Sequence, residues 1–267
     1  MTAPTTPFYV ASDVHGHRAE LREALRDAGL TGTDGHWCGG AARLWLLGDY
    51  VDRGPDGIGV IDDVRRLATE AAAAGGQVEG MLGNHEVQLL GAHFFGDQPV
   101  RGWDQEGGFR GAWSRFGGRD TDLARVTSDY VLWILARPAM ALVGDVLLMH
   151  SDTVRYLEFG TTVAEVNAGV AAALAGRDRQ AWLKFTYQMS DRGAFRDSDP
   201  KSPDDAVSRM LATFGGELLV HGHSTLTKHF GVAPGEVREA LRYAGGRVLA
   251  IDGGVYEGGR ILVTRLA

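Results

Sequence analysis

A single cysteine, Cys38, is the only thiol in this 267-residue chain, so no disulfide can form within it. A reduced compartment, the cytoplasm, is the expectation that follows. Long apolar runs are also missing. None approaches the roughly 20 residues that cross a bilayer as a helix, so no membrane role is expected. Residues 1–7 lack the basic stretch and apolar core of a secretory leader. Basic excess is absent: 27 Lys and Arg face 34 Asp and Glu, for a net charge of −7. That balance argues against a broad face for nucleic-acid polymers and leaves room only for a local basic pocket. No internal repeat of fixed period is visible. The length, with 44% apolar residues, suits one large domain over 1–267 with a sizeable core.

The front half alternates strand and helix. Apolar runs at 8–11, 43–47 and 77–82 read as strands, and residues 18–28 and 58–74 carry helical spacing. Residues 31–40 read as a loop. The alternation implies a parallel sheet with right-handed crossovers, which delivers side chains together at its carboxyl edge. Residues 86–95 begin a helix. The Gly-, Trp- and Arg-rich stretch 96–129 is too long for an ordinary connection, and a cap-like insertion over about 91–130 is expected. Further helices are predicted at 130–136, 163–174 and 180–189. A hairpin is predicted at 140–143 and 146–149, and closing strands at 218–220, 247–251 and 261–265. Residues 192–204 read as a polar, mobile segment.

Three blocks stand at the ends of the first three strands: Ser12-Asp13-Val14-His15-Gly16-His17, Gly48-Asp49-Tyr50-Val51-Asp52-Arg53-Gly54 and Gly83-Asn84-His85-Glu86. Asp13 and His15 are two apart on an extended segment, so both can reach one cation. Asp49 has two oxygens and can bridge two cations. Asn84 offers a neutral carbonyl oxygen. His150 and His223 are imidazoles that follow later apolar runs. This mixture of N and O donors without thiolate suits two divalent transition-metal ions: manganese first, with iron, zinc or nickel as alternatives. Two such ions bring a charge of +4, which Asp13, Asp49 and one hydroxide leave positive, so an anionic phosphate is the expected partner. The plainer reading, ordinary loop Asp and His residues, does not account for all three blocks in order.

At these residues the chain resembles the calcineurin-like metallophosphoesterases, and within them the phosphoprotein phosphatase branch. The second and third blocks match that branch's pattern fully. The first has Ser12 in place of glycine. The resemblance runs from about residue 8 to the C-terminus, through Val220-His221-Gly222-His223 and Ile251-Asp252-Gly253-Gly254, and is weaker across the cap. It implies an α/β sandwich of two mixed sheets flanked by helices. It implies that Asp13, His15 and Asp49 hold one metal, and that Asp49, Asn84, His150 and His223 hold the second. His85 paired with Asp52 would be the general acid, and Arg53 would bind a phosphate oxygen beside Asn84. Arg192 is the candidate for a second phosphate-binding arginine. The implied activity is hydrolysis of phosphate monoesters by a hydroxide shared between the metals, with phosphoserine or phosphothreonine in proteins as the leading substrates. The layout is similar to the Shewanella-like phosphatases. The symmetrical diadenosine tetraphosphate hydrolases share the three blocks, so nucleotide anhydride hydrolysis is the alternative. A non-catalytic binding scaffold is a third reading, and the intact ligand set argues against it.

Some features have plainer readings. His221 is expected to pack in its strand. Trp103, Phe109, Trp113 and Phe116 are expected as the core of the cap, with an aromatic wall over the site as the alternative. Tyr256 can reach the pocket or take a core or rim position, and His17 and His36 have no expected catalytic part. The family often has glycines after the fourth-block histidine, where this chain has Ser151-Asp152. A carboxylate there is expected to place negative charge near the substrate pocket.

Overall fold

The computed structural model describes residues 6–104, 106–197, 199, 202 and 205–267. The reading of 1–7 falls largely, and that of 192–204 partly, outside them. Strands and helices alternate first: β1 (Phe8–Ala11), α1 (Arg18–Asp27), β2 (Arg43–Leu46), α2 (Gly57–Ala73) and β3 (Gln77–Gly80). Helices α3 (Asn84–Phe95), α4 (Gly108–Arg115), α5 (Asp120–Leu123) and α6 (Ser128–Leu135) lead to the hairpin β4 (Met140–Val143) and β5 (Val146–Met149). Then come α7 (Val163–Ala175), α8 (Arg179–Ser190), α9 (Ala206–Phe214) and β6 (Leu218–His221). The chain closes with α10 (Leu226–Phe230), β7 (Leu241–Tyr243), β8 (Val248–Ala250) and β9 (Thr264–Arg265).

One sheet has the order β3-β2-β1-β9, with the first three strands parallel and β9 antiparallel to β1. The other has the order β4-β5-β6-β8-β7, parallel at its centre and antiparallel at both edges. The period-two pleat explains how they stack. Phe8 and Val10 of the first sheet meet Val146, Leu148, Val220 and Leu249 of the second in one buried cluster. The opposite faces, with Leu44, Leu46, Leu147 and Leu219, pack on the helices. The expected sandwich of two mixed sheets is therefore present. Its consequence is positional: β1, β2 and β3 end beside β5, β6 and β8, so six loops converge at one edge.

Several elements differ from the sequence reading. Helix α3 starts at Asn84 rather than 86, because Gly83 is extended and Glu86 Oε2 reaches back to accept its N–H at 2.9 Å. The stretch 96–129 contains α4 and α5, whose shortness and flanking glycines hide the helical period. Helix α9 follows the N-cap Asp205 and buries Val207, Met210 and Phe214 at helical spacing. Strand β7 is a three-residue edge strand with Arg242 exposed at its centre. Of 261–265 only Thr264–Arg265 pairs as a strand, while Ile261 and Leu262 are buried outside the ladder. No helix among the described residues is long and apolar enough to cross a membrane.

Candidate metal centre

The converging loops are stitched by their backbones. Asp13 N donates to Gly48 O at 3.1 Å, and His15 N donates to Asp49 O at 2.8 Å. Glu86, fully buried, accepts from Asp49 N and Tyr50 N at 2.8 Å each, which ties the third block to the second. Burial, then the neighbouring Asp49, pushes this carboxyl up to about 7. Sequence reasoning gave Glu86 no role; the signal was its place three residues past the cap glycine. Gly222 N donates to His150 O at 3.0 Å, and His223 N to Asp13 Oδ2 at 2.9 Å. These bonds hold an unusual backbone. Asp13, His15, Asp49, Asp52, Arg53 and His223 all have φ between 47° and 72°. Among the described residues only Ala244 shares a positive φ without being glycine. Such left-handed positions are uncommon outside glycine, are reached most readily by Asp, Asn and His, and cluster at functional sites.

Asp49 stands at the centre. One of its oxygens lies 3.6 Å from His15 Nε2 and the other 3.3 Å from His150 Nε2. Two groups of potential ligand atoms share it: His15, Asp49 and His85, and Asp49, His150 and His223, with ligand atoms within 4.8 Å of one another in each. Asp13 Oδ1 lies 3.8 Å from His15 Nε2. Burial would raise Asp49, but His150, His85 and His15 hold it well below the usual carboxylate range. Burial raises Asp13, His150 pulls it down, and Asp49 pushes it up again. Among the described residues, the ion pairs of Asp13 and Asp49 are all to histidine.

The imidazoles are oriented from behind. The Nδ1 atoms of His15 and His150 bond Val51 O at 3.1 Å and Leu47 O at 2.9 Å, which leaves each Nε2 facing inward. His223 is reversed: Nε2 bonds Ser190 O at 3.1 Å, leaving Nδ1. These tautomers follow from the hydrogen-bond network. Such backbone partners typically fix metal-binding histidines. His150 Nε2 then faces Asn84 Oδ1 at 3.0 Å as well as Asp49 Oδ1. In the neutral ring these are three lone pairs aimed at one point. Burial would lower His150, yet Asp49, Asp13 and Glu86 raise it to about 10, so a proton there is held tightly. A divalent cation satisfies the same three atoms, and the donor set fits one.

Gly222 shows how little room the ligands have: a Cβ there would lie 2.1 Å from Asp13 Oδ2. Gly222→Ala is expected to weaken metal affinity by roughly 10–100-fold, the scale for residues that orient ligands. Calorimetric titration of the apo-protein with Mn²⁺ checks this, and an unchanged affinity counts against Asp13 and His223 acting as a unit.

Beside this cluster, His85 Nδ1 donates to Asp52 Oδ2 at 2.7 Å, while Arg53 Nη2 donates to His85 Nε2 at 3.1 Å. Burial pushes the Asp52 carboxyl up, against the pull of His85 and Trp113. Among the described residues Arg53 Nη1 is buried with no hydrogen-bond partner, a free donor at the site. The Arg53 guanidinium stacks 3.7 Å over the Tyr256 ring, and that ring stands edge-on to His15. Tyr256 thus takes a rim position that steadies Arg53.

The structure brings Arg192 to the same cavity as Arg53, Asn84 and His85, where its Nη1 bonds His229 Nε2 at 3.1 Å. Asp152 does not line that cavity: it is fully buried, accepting from Ser224 Oγ at 2.7 Å and Gly193 N at 2.8 Å, which keeps its charge one residue from His223 and Arg192. A buried carboxylate needs such partners, and the result is a staple between the His150, Arg192 and His223 segments. His221 packs as expected, its nitrogens bonded to Gly222 O and Tyr243 OH. His17 and His36 lie apart from the cluster, paired with Glu20 and Glu70.

The aromatic residues expected as the core of the cap also form the alternative, a wall beside the site. Trp103, Phe109, Trp113 and Phe116 line a cavity of about 150 Å³ that opens onto His85, Arg53 and Asn84. Leu183 and Tyr187 of α8 close its other side. Phe109 and Trp113 are buried, while Phe116 and Tyr187 are each 60% exposed at the rim.

A model of the family described as calcineurin-like phosphoesterase matches residues 6–225. Shewanella-like protein phosphatase 2 of Arabidopsis thaliana is 35% identical over 82 residues, 31% of this chain and 21% of that protein. The symmetrical bis(5'-nucleosyl)-tetraphosphatase of Aromatoleum aromaticum is 26% identical over 193 residues, 71% of this chain and 59% of that protein. These matches thus span from about a fifth to three fifths of the relatives' lengths. Among solved structures, the cold-active protein-tyrosine phosphatase of a psychrophilic Shewanella superposes with a TM-score of 0.71 at 21% identity, over 97% of this chain and 77% of that one. That likeness is one of fold.

Proposed function

The chain belongs to the calcineurin-like phosphoesterase family, and from that premise we propose that it hydrolyses phosphate monoesters, with a preference for esters of an aromatic alcohol such as phosphotyrosine. Asp13, His15 and Asp49 would hold one divalent cation, and Asp49, Asn84, His150 and His223 a second. The cations would supply Lewis acidity toward the phosphate and make bound water nucleophilic near neutral pH. The rest is work for this chain's own residues. Arg53 Nη1, buried and without a partner among the described residues, meets a phosphate oxygen. As Arg53 turns to the phosphate, His85 Nε2 gives up the hydrogen bond it accepts and takes up a proton from solvent, so that the imidazolium faces the leaving oxygen. His85 gives that oxygen a proton while Asp52 holds the ring and stabilises its charged form. Arg192 closes the phosphate from the exposed side.

The observation that carries the substrate preference is the aromatic cavity beside His85. Its volume of about 150 Å³ is the size that accepts a single benzene ring. A ring seated there puts its ester oxygen at the acid, whereas a seryl or threonyl ester leaves the cavity unfilled. This shifts the expected substrate from phosphoserine or phosphothreonine to an aryl ester. The name of the Shewanella neighbour, a protein-tyrosine phosphatase, agrees with it.

The test is a comparison after reconstitution with Mn²⁺. Phosphotyrosyl and phosphoseryl peptides of one sequence are assayed beside diadenosine tetraphosphate, for the wild type and for Ala112→Phe, which fills the cavity. The phosphotyrosyl peptide is expected to lead, and Ala112→Phe to lower its kcat/KM by about tenfold or more, the scale of one buried ring. The phosphoseryl value should stay within about twofold, as expected where no buried contact is lost. Equal losses on both peptides, or faster turnover of the dinucleotide, would refute the preference.

A further inference from the structure

We propose that Trp113 is a positioning residue for the proton donor, linking the aromatic cavity to the Asp52–His85 pair; the inference rests on the reading of His85 as the acid. The Asp52 carboxylate has two oxygens and is completely buried. Oδ2 holds His85 at 2.7 Å. Oδ1 accepts the indole N–H of Trp113 at 2.8 Å. Both acceptors are thereby satisfied, and the carboxylate plane is fixed from two directions. Without the indole, Oδ1 would be a buried anionic oxygen lacking a donor, and the carboxylate could rotate away from His85.

The donor comes from the cap. Trp113 sits in α4, 61 residues from Asp52 in the chain, and is itself 1% exposed. The turn after α4 seats it. Gly118 N donates to Trp113 O at 2.9 Å, and a Cβ on Gly118 would lie 2.2 Å from the indole ring. The same turn grips the second block, where Arg53 N donates to Gly117 O at 2.7 Å. One surface of the ring lines the aromatic cavity. An aryl group in that cavity packs on the ring whose N–H orients the acid. Occupancy of the cavity and alignment of His85 therefore share one side chain. Trp113 touches no reacting atom, so its influence passes through Asp52.

A purely structural tryptophan and a positioning one predict different kinetics. Trp113→Phe keeps most of the wall and removes the N–H. With reconstituted full-length enzyme and a series of para-substituted phenyl phosphates, kcat is expected to fall about tenfold or more for phenyl phosphate, whose leaving group needs a proton. The loss should shrink to about twofold for para-nitrophenyl phosphate, whose leaving group is a weak base. KM should stay within about twofold across the series, since the wall is kept. In the Asp52→Ala background, Trp113→Phe should add less than about twofold, because the acceptor through which it acts is gone. A uniform loss across leaving groups, or full additivity with Asp52→Ala, overturns the inference. His85→Asn in the same series separates the two claims. A leaving-group-independent loss there refutes the acid and this inference with it, whereas a dependent loss there beside a uniform one in Trp113→Phe refutes this inference alone. Should Trp113→Phe not fold, the ¹⁵N-indole spectrum of the wild type serves instead. The Trp113 N–H resonance must move in Asp52→Asn and on binding phenylphosphonate, and an unmoved resonance overturns the proposal.

Discussion

Asp49→Asn is expected to abolish nearly all turnover, by on the order of 10³-fold or more, more than the loss of one preorganised donor, and to lower occupancy of both metals together. The side chain is within 3.3 Å of His150 Nε2 through one oxygen and 3.6 Å of His15 Nε2 through the other. It also accepts His85 N at 2.9 Å. An amide in its place keeps the shape, removes one negative charge, and turns an –NH₂ donor toward a nitrogen or an N–H. Whichever way it flips, one side of the pair loses its acceptor. The neighbouring groups magnify the effect, because His150 is held near 10 chiefly by Asp49 against its own burial. Elemental analysis after saturation with Mn²⁺, with turnover on the same sample, decides the matter. Two equivalents of metal with wild-type turnover would show that Asp49 is not shared.

The parts of this site that could be read from sequence are those set by local chain geometry. Asp13, His15, Asp49 and Asn84 follow short apolar runs, and a strand that ends at a sheet edge fixes where the next side chains go. His150 and His223 were legible for the same reason, each following a run that became β5 or β6. What Asp152 does with its carboxylate was not legible, because in an irregular loop successive side chains need not share a face, and this one is engaged by Ser224 and Gly193. Trp113 and the aromatic cavity were only half legible. Their meaning depends on contacts between residues about sixty to ninety positions apart, such as Trp113 with Asp52 and Trp103 with Tyr187. No local period encodes such contacts. The helices α4 and α5 that carry or flank these residues are too short to announce themselves. Glu86 was overlooked for a different reason. Its carboxylate contacts backbone amides rather than the reacting centre, and amide partners leave no trace in residue type.

His85→Asn should separate metal binding from proton transfer. The main-chain N–H of residue 85 still donates to Asp49, and the Asn amide can still reach toward Asp52, so the first turn of α3, which carries Asn84, keeps its anchor. Metal content is therefore expected to match the wild type. What disappears is a group able to carry a proton to the ester oxygen, and kcat is expected to fall roughly 10²–10⁴-fold, the usual scale for general acid catalysis. The size of the deficit is itself diagnostic. An alkyl or phenyl leaving group departs as a strong base unless it is protonated, while para-nitrophenolate departs unaided. The deficit should be largest for the first kind and smallest for the last, with KM nearly unmoved because Arg53 and Arg192 still grip the phosphate. If instead the variant loses a metal equivalent, the membership of His85 in the His15–Asp49 group takes precedence over its bond to Asp52, and the proton must come from another donor. The hydrogen bonds already weigh against that outcome. Both ring nitrogens are engaged, Nδ1 by Asp52 and Nε2 by Arg53, and a nitrogen that accepts from a guanidinium faces a cation-rich direction in which a second cation is repelled.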